Sequence, residues 1–182
     1  MDTLGVVECR GIAAGIELAD AMMKTADVEL VKAGTICSGR YMIYVSGDRA
    51  AVAASVQQAE ESGRSLKGSF VISNISRQLM AALKRENIEP QPGAIGIIEC
   101  RCVSAGIAAA DATVKRSDIT LAKLVTGQGI NGKSYFVISG DVASVREAAD
   151  TAEHALGKDL IEAVVIPRPD ASIVKNLIRG VR

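Results

Sequence analysis

Four thiols, Cys9, Cys37, Cys100 and Cys102, are the side chains of this 182-residue chain best suited to chemistry. A thiolate ligates soft metals and iron–sulfur clusters, whereas an unactivated Cys packs as a small hydrophobe. Cys37 stands apart from the others, in Thr35-Ile36-Cys37-Ser38-Gly39-Arg40. One thiol cannot build a metal site within a single chain, so Cys37 reads either as a packed loop residue or as one ligand of a site shared between copies. Cys100-x-Cys102 would put both sulfurs on one face of an extended strand, but no further ligands stand near them in the sequence. Cys9 and Cys100 end matching apolar stretches, GVVEC and GIIEC, and fit a packing role.

The remaining polar residues offer little for catalysis. His154 is the only histidine and sits between Glu153 and Lys158, as a solvated helix residue would. No nucleophile is seen beside a base, which leaves triad and acid–base mechanisms without support and points away from an enzyme. The pair Glu60–Glu61 reads as a solvated face. No GxxxxGK[ST] stretch precedes a helix, which excludes a Walker-type phosphate loop.

The elements that must position these residues occur twice. Residues 5–33 align with 96–124 at an offset of 91, with 14 of 29 positions identical. After a two-residue insertion the register resumes at an offset of 93, where GRYMIYVSGDRAAV meets GKSYFVISGDVASV. Two modules, 4–87 and 94–180, are therefore expected, joined by a linker at 88–93 within the Pro- and Gly-containing IEPQPGA. In each, a short β-branched strand leads to a helix whose apolar residues recur at helical spacing (Ile12, Ile16, Ala19, Met23). Val28–Thr35 and the apolar stretches Tyr41–Val45 and Tyr135–Ile138 read as strands. Asp48 and Asp141 each follow a Gly, where a carboxylate can cap a new helix. Those helices run to Gly63 and Gly157, and last strands at Phe70–Ser73 and Val164–Ile166 complete the module. The order β-α-β-β-α-β predicts an α/β (α+β) fold of two tandem ferredoxin-like domains.

Composition narrows the partners. The chain is 48% hydrophobic but only 3% aromatic, with little to stack on bases. Twenty-one basic residues balance twenty-one acidic ones, which removes the electrostatic argument for nucleic acid and favours self-association. No apolar run approaches bilayer-spanning length, and the start MDTLGVVECRG is unlike a signal peptide, so a cytosolic protein with reduced thiols is expected.

Here the residues resemble a known family. The segments Asp20-Ala21-Met22-Met23-Lys24 and Asp111-Ala112-Thr113-Val114-Lys115, the two Ser-Gly-Asp corners and Ile166-Pro167-Arg168-Pro169 look like the bacterial microcompartment shell domain, present twice and unpermuted. The resemblance covers nearly the whole chain. It implies a homotrimer whose six domains imitate a hexagonal tile, in a shell built with other shell proteins. The Cys37 stretch is similar to the iron–sulfur-binding tandem members from propanediol-utilisation compartments. That similarity implies one [4Fe–4S] cluster per trimer at the threefold pore, with Cys37 supplying one thiolate per subunit. It also implies electron transfer across the shell, with an encapsulated or cytosolic redox protein as partner.

Pore loops would then comprise Thr35, Ile36, Ser38 and Gly39 from the first module and Gly127, Gln128, Gly129, Ile130 and Asn131 from the second. Ile130 takes the place of Cys37, so only half of the six loops would carry sulfur. The glycines read either as an ordinary flexible turn or as backbone N–H groups approaching a cluster or anion. Lys24, Lys115 and Arg168 are the expected edge contacts between tiles, with Asn74 at the position matching Arg168. Two other readings stay open: a tile whose pore passes small metabolites without a cluster, and a redox enzyme or ligand-binding regulator sharing only the topology.

Overall fold

The computed structural model describes residues 3–179. The expected end of the second module at residue 180 lies outside them. The first module comprises β1 (Thr3–Cys9), α1 (Ile12–Thr25), β2 (Val28–Ile36), β3 (Arg40–Gly47), α2 (Arg49–Glu61), β4 (Leu66–Ser73) and α3 (Arg77–Leu83). The second repeats it as β5 (Ala94–Cys100), α4 (Val103–Arg116), β6 (Thr120–Thr126), β7 (Ser134–Gly140), α5 (Val142–Leu156), β8 (Leu160–Pro167) and α6 (Ala171–Arg179). The strands form two antiparallel sheets ordered β2-β3-β1-β4 and β6-β7-β5-β8, the ferredoxin-like arrangement.

Local chemistry explains the shared plan. The Asp48 carboxylate accepts from the Ala50 N–H at 2.9 Å, and Asp141 accepts from Ala143 and Ser144 at 2.9 and 3.0 Å, so both Ser-Gly-Asp corners start helices as expected. The first helix of each module lies close on its sheet because a glycine faces the strand below. A Cβ on Gly15 would stand 2.4 Å from Tyr41 Cβ, and one on Gly106 would stand 2.1 Å from Ser134 Oγ. Repetition of that glycine in both helices follows from this contact.

Burial separates the two modules. In β1 every residue is buried, because α1 and α2 cover one face of the sheet and the second module covers the other. Val7, Cys9, Ile43 and Val45 face α1 and α2; Leu4, Val6, Met42 and Tyr44 join one continuous core with Val103, Ile107 and Leu121. In β5 the same positions are less protected: Ile97 and Glu99 stay partly exposed. Among the described residues, α6 covers that face, packing Val174, Leu177 and Ile178 on Ile95, Ala122 and Val137.

Three features differ from the sequence reading. Strands β4 and β8 begin at Leu66 and Leu160, ahead of the apolar stretches at Phe70 and Val164. Backbone pairing with β1 and β5 defines them, and it runs past an irregularity at Glu8/Cys9 and Glu99/Cys100. Helices α3 and α6 have no counterpart in the expected elements. Of these, α3 makes only about two turns, too few to be stable alone, and it is held by burying Leu79 and Ala82 against β6 and α4. Finally, Cys102 does not continue the strand: β5 stops at Cys100, and Cys102 stands at the residue preceding α4, without a capping hydrogen bond from its side chain.

Candidate metal centre and module junction

The hairpin linking β2 to β3 closes at Ile36 and Arg40, and Cys37, Ser38 and Gly39 form its turn. Ser38 and Gly39 both adopt left-handed backbone, at φ 67° each. The loop between β6 and β7 ends the same way, with Asn131 at φ 55° and Gly132 at φ 70°. Ile130 precedes that pair as Cys37 precedes the first, in agreement with the sequence alignment. The longer loop accommodates its insertion with left-handed glycines at Gly127 and Gly129.

The two loops touch within one chain. Gly129 N–H donates to Cys37 Sγ at 3.0 Å, and the Ser38 hydroxyl donates to the side-chain oxygen of Asn131. Arg40 ties the loops to the sheet: its Nη1 donates to Glu8 Oε1 at 2.8 Å and to the Gly132 carbonyl at 3.0 Å. Glu8 is fully buried, and its other oxygen accepts from the Ser104 N–H and hydroxyl, both at 2.9 Å. A first-module carboxylate therefore caps the N-terminus of second-module helix α4, which has no side-chain cap of its own. Thr35, Gln128 and Gly129 are exposed around this cluster, while Ile36, Cys37 and Ile130 are half-buried.

Sequence reasoning missed Glu8, Arg40 and Ser104. One signal was present: an acidic residue inside an otherwise apolar strand, repeated as Glu99. Buried charges are rare unless paired, so that position called for a partner.

The other thiols stay apart from the loops. Cys9, Cys100 and Cys102 are buried and Cys37 is half-buried. Burial pushes the Cys100 thiol up to about 12 and raises Cys102 as well, which suppresses their thiolate forms. We expect iodoacetamide at pH 8 to label Cys37 first in folded, cluster-free protein, with Cys9, Cys100 and Cys102 reacting only after denaturation. Peptide mass spectrometry checks this.

No group of three or more His, Cys, Asp or Glu side chains converges among the described residues of one chain. The donor set therefore fits a metal cluster only if copies pool their Cys37 sulfurs. That sulfur is suited to the role, because it is partly accessible and already accepts a backbone N–H, as cluster thiolates do.

The expected edge residues divide. Lys24 is exposed and pairs with Asp20 at 2.6 Å. Lys115 instead donates to the Ser73 carbonyl at 2.8 Å and pairs with Asp111, whose carboxylate also accepts from the Ser76 N–H at 2.8 Å. Lys115 thus lies in the contact between modules. Arg168 is exposed, with left-handed backbone at φ 48° and its N–H donating to Gly93 at 2.7 Å. Asn74 occupies the same turn of the first module at φ 50°. His154 is exposed on α5, with ring Nδ1 2.7 Å from the Asp150 carbonyl.

The BMC domain family matches residues 3–75 and again 94–169. The chain belongs to the BMC-domain family. This BMC protein is 38% identical over 184 residues to the bacterial microcompartment shell protein PduT of Citrobacter freundii, covering 97% of this chain and 98% of that protein. Its similarity to the carboxysome shell protein CcmK2 of Thermosynechococcus vestitus is 40% over 86 residues, 47% of this chain and 80% of that protein. A crystal structure of a microcompartment protein from Desulfitobacterium hafniense superposes with a TM-score of 0.81 at 35% identity, covering 96% of this chain and 99% of that one. Like these relatives, the BMC protein is a structural component of a bacterial microcompartment shell and not an enzyme. No helix among its described residues is long and apolar enough to cross a membrane.

Proposed function

We propose that this BMC protein closes head to tail into a trimer of six modules. Three Cys37 thiolates then meet at the axis and hold one [4Fe–4S] cluster, which serves electron transfer across the shell. The observation that carries the ring is an unequal fate of equivalent residues. At the junction inside the chain, Val103, Ile107 and Leu121 are fully buried. Their first-module counterparts, Ile12, Ile16 and Leu30, are 41%, 54% and 47% exposed. At the other end Ile72 and Leu79 are buried, whereas their counterparts Ile166 and Ile173 are 36% and 55% exposed. Each chain thus makes one junction internally and leaves the two halves of another open. A second copy supplies the missing half, and repetition of one rotation closes a ring. Six modules complete the hexagonal tile of the family, which takes three chains.

In that ring Cys37 recurs once per chain, so three sulfurs approach one axis without any local CxxC spacing. Bound there, the cluster would supply one-electron transfer. The chain's own contribution is the sulfur, its partly buried loop and the Gly129 N–H, which stabilises charge on that sulfur. Lys24 and Arg168 face outward and serve as contacts to neighbouring tiles, where the arginine fork can donate to carbonyls.

The test is iron and acid-labile sulfide per trimer, with an electron paramagnetic resonance spectrum, on anaerobically purified wild type and Cys37→Ser. About four irons per trimer are expected from a [4Fe–4S] cube, falling to background in Cys37→Ser without loss of the trimer. An iron-free wild type that assembles and resists reconstitution overturns the cluster and leaves a tile with a metabolite pore.

A further inference from the structure

Inside the chain, the junction is fastened by a carboxylate that crosses between modules. Glu8 reaches from the back face of the first sheet to the Ser104 N–H and hydroxyl at the start of α4, and Arg40 beside it donates to the Gly132 carbonyl in the next loop. The repeat places Glu99 and Lys133 where Glu8 and Arg40 stand in the first module, and these two pair at 2.9 Å. They remain 37% and 44% exposed, at the open end of the chain. At the opposite open end, helix α1 starts at Gly11 and Ile12 with no side-chain cap and no acidic residue in its first turn. Ala13, the counterpart of Ser104, is exposed, as is Gly39, the counterpart of Gly132.

We infer that Glu99 of one copy caps helix α1 of the next copy at the Ala13 N–H, while Lys133 of the first copy donates to the Gly39 carbonyl beside Cys37 of the second. The partner is a second copy of this chain, and the helix cap is incomplete without it. This rests on the ring proposed above and assigns the residues that fasten it. Charge complementarity supports the pairing: a carboxylate meets the positive end of a helix whose first turn carries no acid. Continuity with the internal junction supports it as well, because the same backbone positions already make these contacts once per chain.

The two kinds of junction are not equal. Ala13 lacks the hydroxyl that Ser104 donates, so the contact between copies has one hydrogen bond fewer than the contact within the chain. The same carboxylate steadies both α1 and, through Lys133, the loop that presents Cys37. Assembly and presentation of the thiol are thereby linked.

The experiment compares the dissociation of wild type, Glu99→Ala and Ala13→Ser on dilution, by sedimentation velocity or native mass spectrometry of the full chain. Circular dichroism checks that each variant remains folded, and partial exposure of Glu99 and Ala13 favours that. Loss of a charged hydrogen bond predicts that Glu99→Ala weakens each junction by roughly tenfold or more. Ala13→Ser is expected to strengthen it by several-fold, a gain that general destabilisation cannot mimic. A trimer that resists dilution equally in all three overturns the cap and leaves the ring standing. A wild type that sediments as a monomer overturns both.

Discussion

Ile16→Asp leaves the chain folded and converts the trimer to monomers, whereas Ile107→Asp prevents folding. The two isoleucines occupy equivalent positions in repeated helices, and the sequence around them is closely similar. Ile16 is 54% exposed in the single chain, and Ile107 is fully buried between modules. An aspartate at the exposed site meets water, and such surface changes usually cost within about 0.5 kcal/mol of stability. In the ring, however, it would have to enter an apolar junction three times, once per copy. At Ile107 the carboxylate is forced into the core itself. The lost apolar contacts cost about 2–5 kcal/mol, and the unpaired charge adds several more, comparable to the whole stability of an ordinary domain. Sedimentation velocity reads the first outcome, and circular dichroism of the soluble fraction reads the second. An Ile16→Asp protein that remains trimeric at micromolar concentration would remove the ring argument.

Glu8→Ala is expected to lower the stability of the chain by about 3–5 kcal/mol, as for other broken buried ion pairs. The substitution strands Arg40 and leaves the Ser104 N–H and hydroxyl without their acceptor. Glu8→Gln should cost less, because an amide oxygen still accepts from Ser104 while the charge is lost. The ordering wild type, Gln, Ala in a denaturant titration distinguishes a cross-module cap from simple loss of volume. Arg40 also donates to Gly132, whose loop supplies the N–H to Cys37. The Ala variant should therefore expose Cys37 to alkylation faster than wild type does. Equal midpoints for Glu8→Ala and wild type would show that the buried carboxylate contributes nothing to joining the modules.

Much of the architecture was legible along the chain because it depends on local and repeated signals. Asp48 and Asp141 cap their helices because a carboxylate after a Gly reaches N–H groups two and three residues ahead. The two-module plan shows as direct self-similarity. The solitary character of Cys37, and its replacement by Ile130, are also plain in the alignment and agree with the matched left-handed turns at Ser38–Gly39 and Asn131–Gly132. Helices α3 and α6 were missed: α6 did carry a signal, with Val174, Leu177 and Ile178 at helical spacing, whereas the seven residues of α3 are held by tertiary contacts at Leu79 and Ala82. The edge role expected of Lys115 came from its place in the family pattern; the contacts of its ammonium with Ser73 and Asp111 in the folded chain were not visible there.

By itself, then, the sequence determined the elements, their order, their duplication and the presence of one unpaired thiol in a turn. The tertiary structure alone decided which of two near-identical surfaces is covered. Repetition makes Ile16 and Ile107, or Glu99 and Glu8, equivalent as residues, but burial is set by neighbours far away in the chain. Glu8 meets Ser104 across 96 residues, while Glu99 meets no equivalent helix start among the described residues and pairs with Lys133 instead. A linear repeat has ends and a closed ring has none. The exposed apolar residues at those ends are where that difference becomes physical.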